Sequence, residues 1–190
     1  MTDYHYLIAT PEHIPAIEAL QAENLVSNLS EDQQKDGFVT TPFTREQLLD
    51  AIENHGIFLC ANNDEIVAYL VCASWQYFSK WPIFAHMVTL FPALTYCGET
   101  PTIDNSYQYG PICIAEAHRG KGILQGIFPF ARTEMNKRYP YAITFVNKRN
   151  PRSYAAHIRK LGLDEISTFQ FNDQEYWMLG FPTKAKAEAA

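Results

Sequence analysis

The 190 residues, 21.7 kDa in all, are enough for one domain with a substantial core and too few for two of ordinary size, so a single domain over residues 1–182 with a frayed tail over 183–190 is expected. Hydrophobic residues at 47%, with 12 Phe, 11 Tyr and 3 Trp, exclude a disordered chain, and a net charge of -6 argues against nucleic-acid binding by bulk electrostatics. The charge is uneven: residues 1–118 hold 3 Lys+Arg against 15 Asp+Glu, whereas 119–190 hold 12 against 6, so an anionic ligand belongs with the basic second part.

Tyr4 to Ala9 reads as a short strand, and Thr10-Pro11-Glu12 opens a helix carried by Ile14, Ile17, Ala19, Leu20 and Leu25. The polar run Ser27 to Pro42 reads as a loop. Thr44-Arg-Glu-Gln47 has the form of a capping box, and its helix ends near Asn54-His55-Gly56. Ile57 to Ala61 and Ile66 to Ser74, joined by Asn62-Asn63-Asp64-Glu65, form a hairpin pattern. Residues 75–105 show no clear periodicity and read as an irregular insert rich in aromatics, expected to be a functional loop or a short helix. Tyr107 to Ala115 returns to strand character, interrupted by Gly110-Pro111, where the missing N–H requires a bulge or a parting from the neighbouring strand.

A helix then places Ile123, Ile127, Phe128, Ala131 and Met135 on one face, with Pro129 inside it. Tyr141 to Val146 is a strand, Asn150-Pro151 starts a helix that runs to Lys160, and Leu161-Gly162-Leu163 closes it. Glu165 to Phe171 and Glu175 to Phe181 read as an antiparallel pair, giving the order β-αα-βββ-α-β-α-ββ. Cys60, Cys72, Cys97 and Cys113 have no metal-ligand spacing, so no metal is expected, and they read as reduced thiols of a cytoplasmic protein. No signal peptide and no membrane span are expected, since the longest apolar stretch, Trp81 to Leu94, is broken by Pro82, His86, Thr89 and Pro92.

The chemistry concentrates in Arg119-Gly-Lys-Gly-Ile-Leu124, between a strand and a helix. Glycines there let backbone N–H groups converge, the helix start adds unpaired amides, and Arg119 and Lys121 add positive charge, which together suit phosphate. A P-loop is excluded because Gly122 follows Lys121 where Ser or Thr is needed. The dinucleotide pattern is excluded because Gly126 comes one residue late.

This segment resembles the R/Q-x-x-G-x-G/A loop of the GNAT superfamily of acyl-CoA-dependent N-acetyltransferases, with Leu124 standing where the pattern has Gly or Ala. Asn150-Pro-Arg-Ser-Tyr-Ala-Ala-His-Ile-Arg-Lys-Leu-Gly-Leu163 resembles the same family's N-x-x-S/A segment. The resemblance implies an α+β fold in α/β/α layers: a mixed central sheet of about seven strands, helices on both faces, splayed between strands four and five. It implies acetyl-CoA as cofactor, held by Ile112, Cys113 and Ile114 along the pantetheine arm and by Arg119, Gly120, Lys121, Gly122, Ile123 and Leu124 at the pyrophosphate. Asn150 and Ser153 would steady its other side.

The implied activity is direct attack of a primary amine, on a small molecule or a peptide, upon the thioester carbonyl. The family's acid is a Tyr in the fourth helix, and its place falls on His157 counting from Asn150 but on Ile158 counting back from Gly162. His157 and Tyr154 are both candidates for the acid, and Asp104 or a water relay for the base. An ordinary surface role competes at His157 and, more strongly, a turn role at Asp104 in Asp-Asn-Ser. A non-catalytic acyl-CoA-binding module of the same fold is the alternative, nucleic acid is disfavoured, and a homodimer is left open.

Overall fold

The computed structural model describes residues 3–30, 42–54 and 56–184. Seven strands, β1 (Tyr4–Ile8), β2 (Ile57–Asn62), β3 (Glu65–Ala73), β4 (Ser106–Ile114), β5 (Tyr141–Asn147), β6 (Asp164–Phe171) and β7 (Gln174–Pro182), form one mixed sheet in the order β1-β2-β3-β4-β5-β7-β6. β4 runs parallel to β5, while β1–β2, β2–β3, β5–β7 and β6–β7 are antiparallel. The helices are α1 (Ile14–Asn24), α2 (Arg45–Asn54), α3 (Trp75–Phe78), α4 (Pro82–Leu90), α5 (Ile123–Met135) and α6 (Pro151–Ala155), the last continuing as a π-helical turn over Ala156–Lys160.

The expected order holds, and between β3 and β4 the insert takes the helical alternative, as α3 and α4. Local signals explain both: Ser74 accepts a hydrogen bond from the Tyr77 N–H at 3.1 Å as an N-cap, and Pro82 occupies the first position of α4. The first expected helix stops at Asn24, before Leu25, and a 3₁₀ turn follows at Val26–Asn28. Most of the loop expected from Ser27 to Pro42, residues 31–41, lies outside the described residues, as does the tail beyond Lys184. The capping box at α2 is formed, with the Gln47 N–H donating to Thr44 Oγ1 at 3.3 Å and the Thr44 N–H to Gln47 Oε1 at 2.9 Å.

The chain packs as two compact units, residues 1–72 with 110–131 and residues 73–109 with 132–190, so that β4 contributes to both. In the first unit Ile57 to Ala61 and Val67 to Cys72 are all buried, as strands covered on both faces must be. Gln21 ties α1 to the approach to α2, donating to the Phe43 carbonyl at 2.9 Å and accepting from its N–H at 2.8 Å. Gly126 of α5 lets the Tyr6 ring lie directly on the helix: a Cβ there would overlap the phenol. This contact, rather than ligand binding, accounts for that glycine.

In the second unit aromatic side chains join the insert to the strands. Phe84 of α4 packs on Phe78 and on Phe145 of β5, with ring centroids 4.5 and 5.4 Å apart, and the Trp75 indole N–H donates to Ser106 Oγ at 3.0 Å. The parallel register covers Ser106↔Tyr141 to Gln108↔Ile143 and stops there, two residues before Gly110 and its cis peptide to Pro111.

Candidate functional site

In the first unit β4 runs through Ile112, Cys113 and Ile114 into a 3₁₀ turn at Glu116–His118 and then the loop Arg119 to Gly122. Gly120 and Gly122 have φ of 76° and 85°, a region L-residues avoid, which is what glycine at these two places provides. A Cβ at either would meet no heavy atom within 4 Å, so the loop is open around both glycines. Gly122 accepts from the Gly126 N–H at 3.2 Å, which leaves the N–H groups of Ile123, Leu124 and Gln125 as the unpaired first turn of α5. The two positive-φ glycines and the unpaired first-turn amides of α5, with Lys121 exposed beside them, make a cradle with the charge and the donors for a phosphate. The Ile123 side chain is buried in the core, so that residue can offer only its amide.

Arg119 behaves differently from the sequence expectation. Its Nε donates to the Ile114 carbonyl at 3.2 Å and its Nη2 to Asn24 Oδ1 at 2.5 Å, so the guanidinium fastens the loop to the end of β4 and to α1. Asn24 is itself buried and donates to the Leu20 carbonyl at 2.8 Å. The Cys113 thiol also points inward, 3.5 Å from the Leu20 carbonyl, and burial pushes its pKa up to about 12. Its side chain is a core thiol; only its main chain remains for a ligand.

The second unit holds the other candidates. Asn150 caps α6, its Oδ1 accepting from the Ser153 N–H at 3.1 Å. Ser153 and His157 are brought together: His157 Nδ1 lies 2.7 Å from the Ser153 carbonyl and 3.4 Å from Ser153 Oγ. A carbonyl can only accept, so the ring proton sits on Nδ1 and Nε2 keeps the lone pair. Burial, opposed by that hydrogen bond, lowers the His157 pKa, which keeps the ring neutral. Its edge meets the Tyr109 ring at 5.7 Å and 81°.

Tyr154 turns elsewhere. Its hydroxyl donates to Glu165 Oε2 at 2.6 Å, its ring stacks on Trp177 at 4.1 Å, and the hydrogen bond to Glu165 raises its pKa. Asp104 is exposed in the 102–105 turn before β4, where its N–H donates to Thr102 Oγ1 at 3.3 Å. Among the described residues no cluster of three or more His, Cys, Asp or Glu could hold a metal, and no helix is long and apolar enough to cross a membrane.

No protein-family model and no curated protein sequence matches the chain. Solved structures do. A Streptococcus mutans protein, smu.2055, superposes with a TM-score of 0.65 at 16% identity, over 95% of this chain and 99% of that one. A Salmonella typhimurium protein described as a putative acetyltransferase, solved with its cofactor acetyl-CoA, gives 0.63 at 11% identity over 98% of both chains. A GNAT-family acetyltransferase from Streptococcus agalactiae gives 0.63 at 14% identity over 96% of both. The chain therefore has the GNAT fold, a seven-stranded mixed sheet with β4 parallel to β5.

Proposed function

We propose that this protein binds acetyl-CoA and transfers its acetyl group to a primary amine of a small-molecule or peptide acceptor. The observation that carries the proposal is the cradle Gly120-Lys121-Gly122 at the start of α5, open toward solvent and set in a chain with the GNAT fold. The fit to a pyrophosphate rests on that open cradle: backbone N–H groups of Gly120 to Leu124 bind phosphate oxygens, and Lys121 supplies a cation. Arg119 holds the loop in shape through Ile114 and Asn24. Main-chain groups of Ile112, Cys113 and Ile114 bind the pantetheine arm, and the reading extends to Asn150 and Ser153 as further cofactor contacts.

When bound, acetyl-CoA supplies an acetyl group activated as a thioester. The chain's own tasks are to hold that group still, to accept the amine proton and to supply one to the departing sulfur. His157 is the proton acceptor we favour, since Nδ1–H is fixed on the Ser153 carbonyl and Nε2 is left as a lone pair on a neutral ring. Tyr154 carries a proton but spends it on Glu165, so it acts as the acid only if that hydrogen bond is exchanged. Asp104 is retained as a surface acceptor for the proton.

Release of thiol from acetyl-CoA, followed over a panel of primary amines, polyamines, amino acids and peptides, tests the proposal. Turnover on at least one amine supports it. Saturable CoA binding with no turnover on any amine supports the non-catalytic alternative instead.

A further inference from the structure

The end of the β4–β5 ladder has a side-chain cause, and it lies within the second unit. Beyond the last pair, Gln108↔Ile143, the next strand carbonyl is that of Tyr109. It is taken by two side-chain donors, Thr144 Oγ1 at 2.5 Å and Gln108 Nε2 at 2.7 Å. Gln108 Nε2 also donates to Thr144 Oγ1 at 3.2 Å, so the amide, the hydroxyl and the carbonyl close a three-membered ring of hydrogen bonds. Gln108 and Thr144 are both buried.

The hydrogen-bond directions are fixed by the chemistry. The Tyr109 carbonyl can only accept, so the Thr144 hydroxyl must donate to it, and the hydroxyl oxygen is then the acceptor for Gln108. Turning the Gln108 amide over would set its oxygen against the Tyr109 carbonyl. In the orientation that avoids this, Gln108 Oε1 is buried with no hydrogen-bond partner among the described residues. A buried acceptor left unsatisfied is costly. The amide therefore sacrifices its own oxygen to keep both N–H groups on the ring, which marks the Tyr109 carbonyl as the group the arrangement serves.

We propose that Gln108 and Thr144 are positioning residues that decide where strand pairing ends. By occupying the Tyr109 carbonyl they deny β5 its next ladder bond, so the pairing stops at Gln108↔Ile143. The consequence for the cofactor rests on the acetyl-CoA reading above, in which the pantetheine arm takes main-chain groups of β4 just past this point. The ring itself does not rest on that reading.

The test uses the full chain and the variants Thr144→Val, Thr144→Ser and Gln108→Met. Two ligands are titrated: CoA, and 3′-phosphoadenosine 5′-diphosphate, its nucleotide half without the pantetheine arm. Amide hydrogen exchange of residues 144–147 is followed in the ligand-free protein. Removing the hydroxyl in Thr144→Val, or the amide in Gln108→Met, is expected to slow exchange at 144–147 as the ladder lengthens. It is also expected to raise the CoA Kd on the order of tenfold, the effect of one buried hydrogen bond, while leaving the Kd of the nucleotide half unchanged. Thr144→Ser restores the hydroxyl and is expected to stay within about twofold of the wild type on that scale. Because Thr144→Val and Gln108→Met act on one carbonyl, the double variant should lose less than both single losses combined.

A variant that only loosens the fold would move both ligands together. Equal shifts for both ligands would overturn the assignment, as would unchanged exchange at 144–147. Wild-type protein that binds neither ligand would overturn the acetyl-CoA reading, and the ligand-free exchange would still decide the ring.

Discussion

Replacing Gly122 by glutamate adds a carboxylate at the phosphate loop without forcing it into protein, because no heavy atom lies within 4 Å of the added Cβ. Two costs separate cleanly. The backbone at φ 85° strains any L-residue, which takes about 1–2 kcal/mol from folding stability whatever the side chain. The charge acts on the ligand: a carboxylate about 5 Å from one phosphate charge, at an effective dielectric near 20, is repelled by about 3 kcal/mol, which is on the order of a hundredfold in Kd. Gly122→Ala carries the first cost and not the second. Titration calorimetry with CoA, alongside thermal unfolding of both variants, should show equal losses of stability. The CoA Kd should rise on the order of a hundredfold in Gly122→Glu and far less in Gly122→Ala. Matching CoA affinities for Gly122→Glu and Gly122→Ala would refute the placement of phosphate at this loop.

Gly126→Ala is expected to destabilise the fold by about 1–3 kcal/mol through collision with the Tyr6 ring, read as a drop of roughly 2–4 °C in Tm per kcal/mol. Asn24→Leu removes one acceptor of the Arg119 guanidinium, that of Nη2, and should weaken CoA binding with only a modest change in Tm; unchanged affinity would detach the Arg119–Asn24 link from the cradle. Iodoacetamide should label Cys97 alone in the native protein, since Cys97 is exposed while Cys60, Cys72 and Cys113 are buried, the first and last with pKa values pushed up to about 11 and about 12. For His157 the folded pKa is lowered, so the unfolded chain takes up the proton first: the ring's contribution is complete above the unfolded value of about 6.5 and is lost as pH falls below it. Stability against urea should therefore fall from about pH 6.5 downward, and His157→Asn should lose that component of the slope.

The parts of the fold legible in the sequence are those written in local chemistry. The capping box at Thr44, the turn at Asn63 with φ 54°, and the paired glycines at 120 and 122 each name their own conformation. The helices of the insert were hidden because α3 is only Trp75–Phe78 and α4 is apolar or aromatic on most sides, so neither shows the contrast of an amphipathic period. The ambiguous count around His157 has a physical source: the helix widens into a π turn at Ala156–Lys160, which absorbs one extra residue, and the Leu163 N–H reaches back to the His157 carbonyl at 3.1 Å. The Arg119–Asn24 link and the Gln108–Thr144–Tyr109 ring join residues 95 and up to 36 positions apart, and no spacing rule in one sequence could pair them.

Calorimetric titration of the full chain with acetyl-CoA tests the central claim most directly. The account predicts saturable binding of one molecule per chain, competed by CoA and by its nucleotide half, and weakened on the order of a hundredfold in Gly122→Glu. No saturable binding by the wild-type protein, or equal binding by Gly122→Glu, would contradict it.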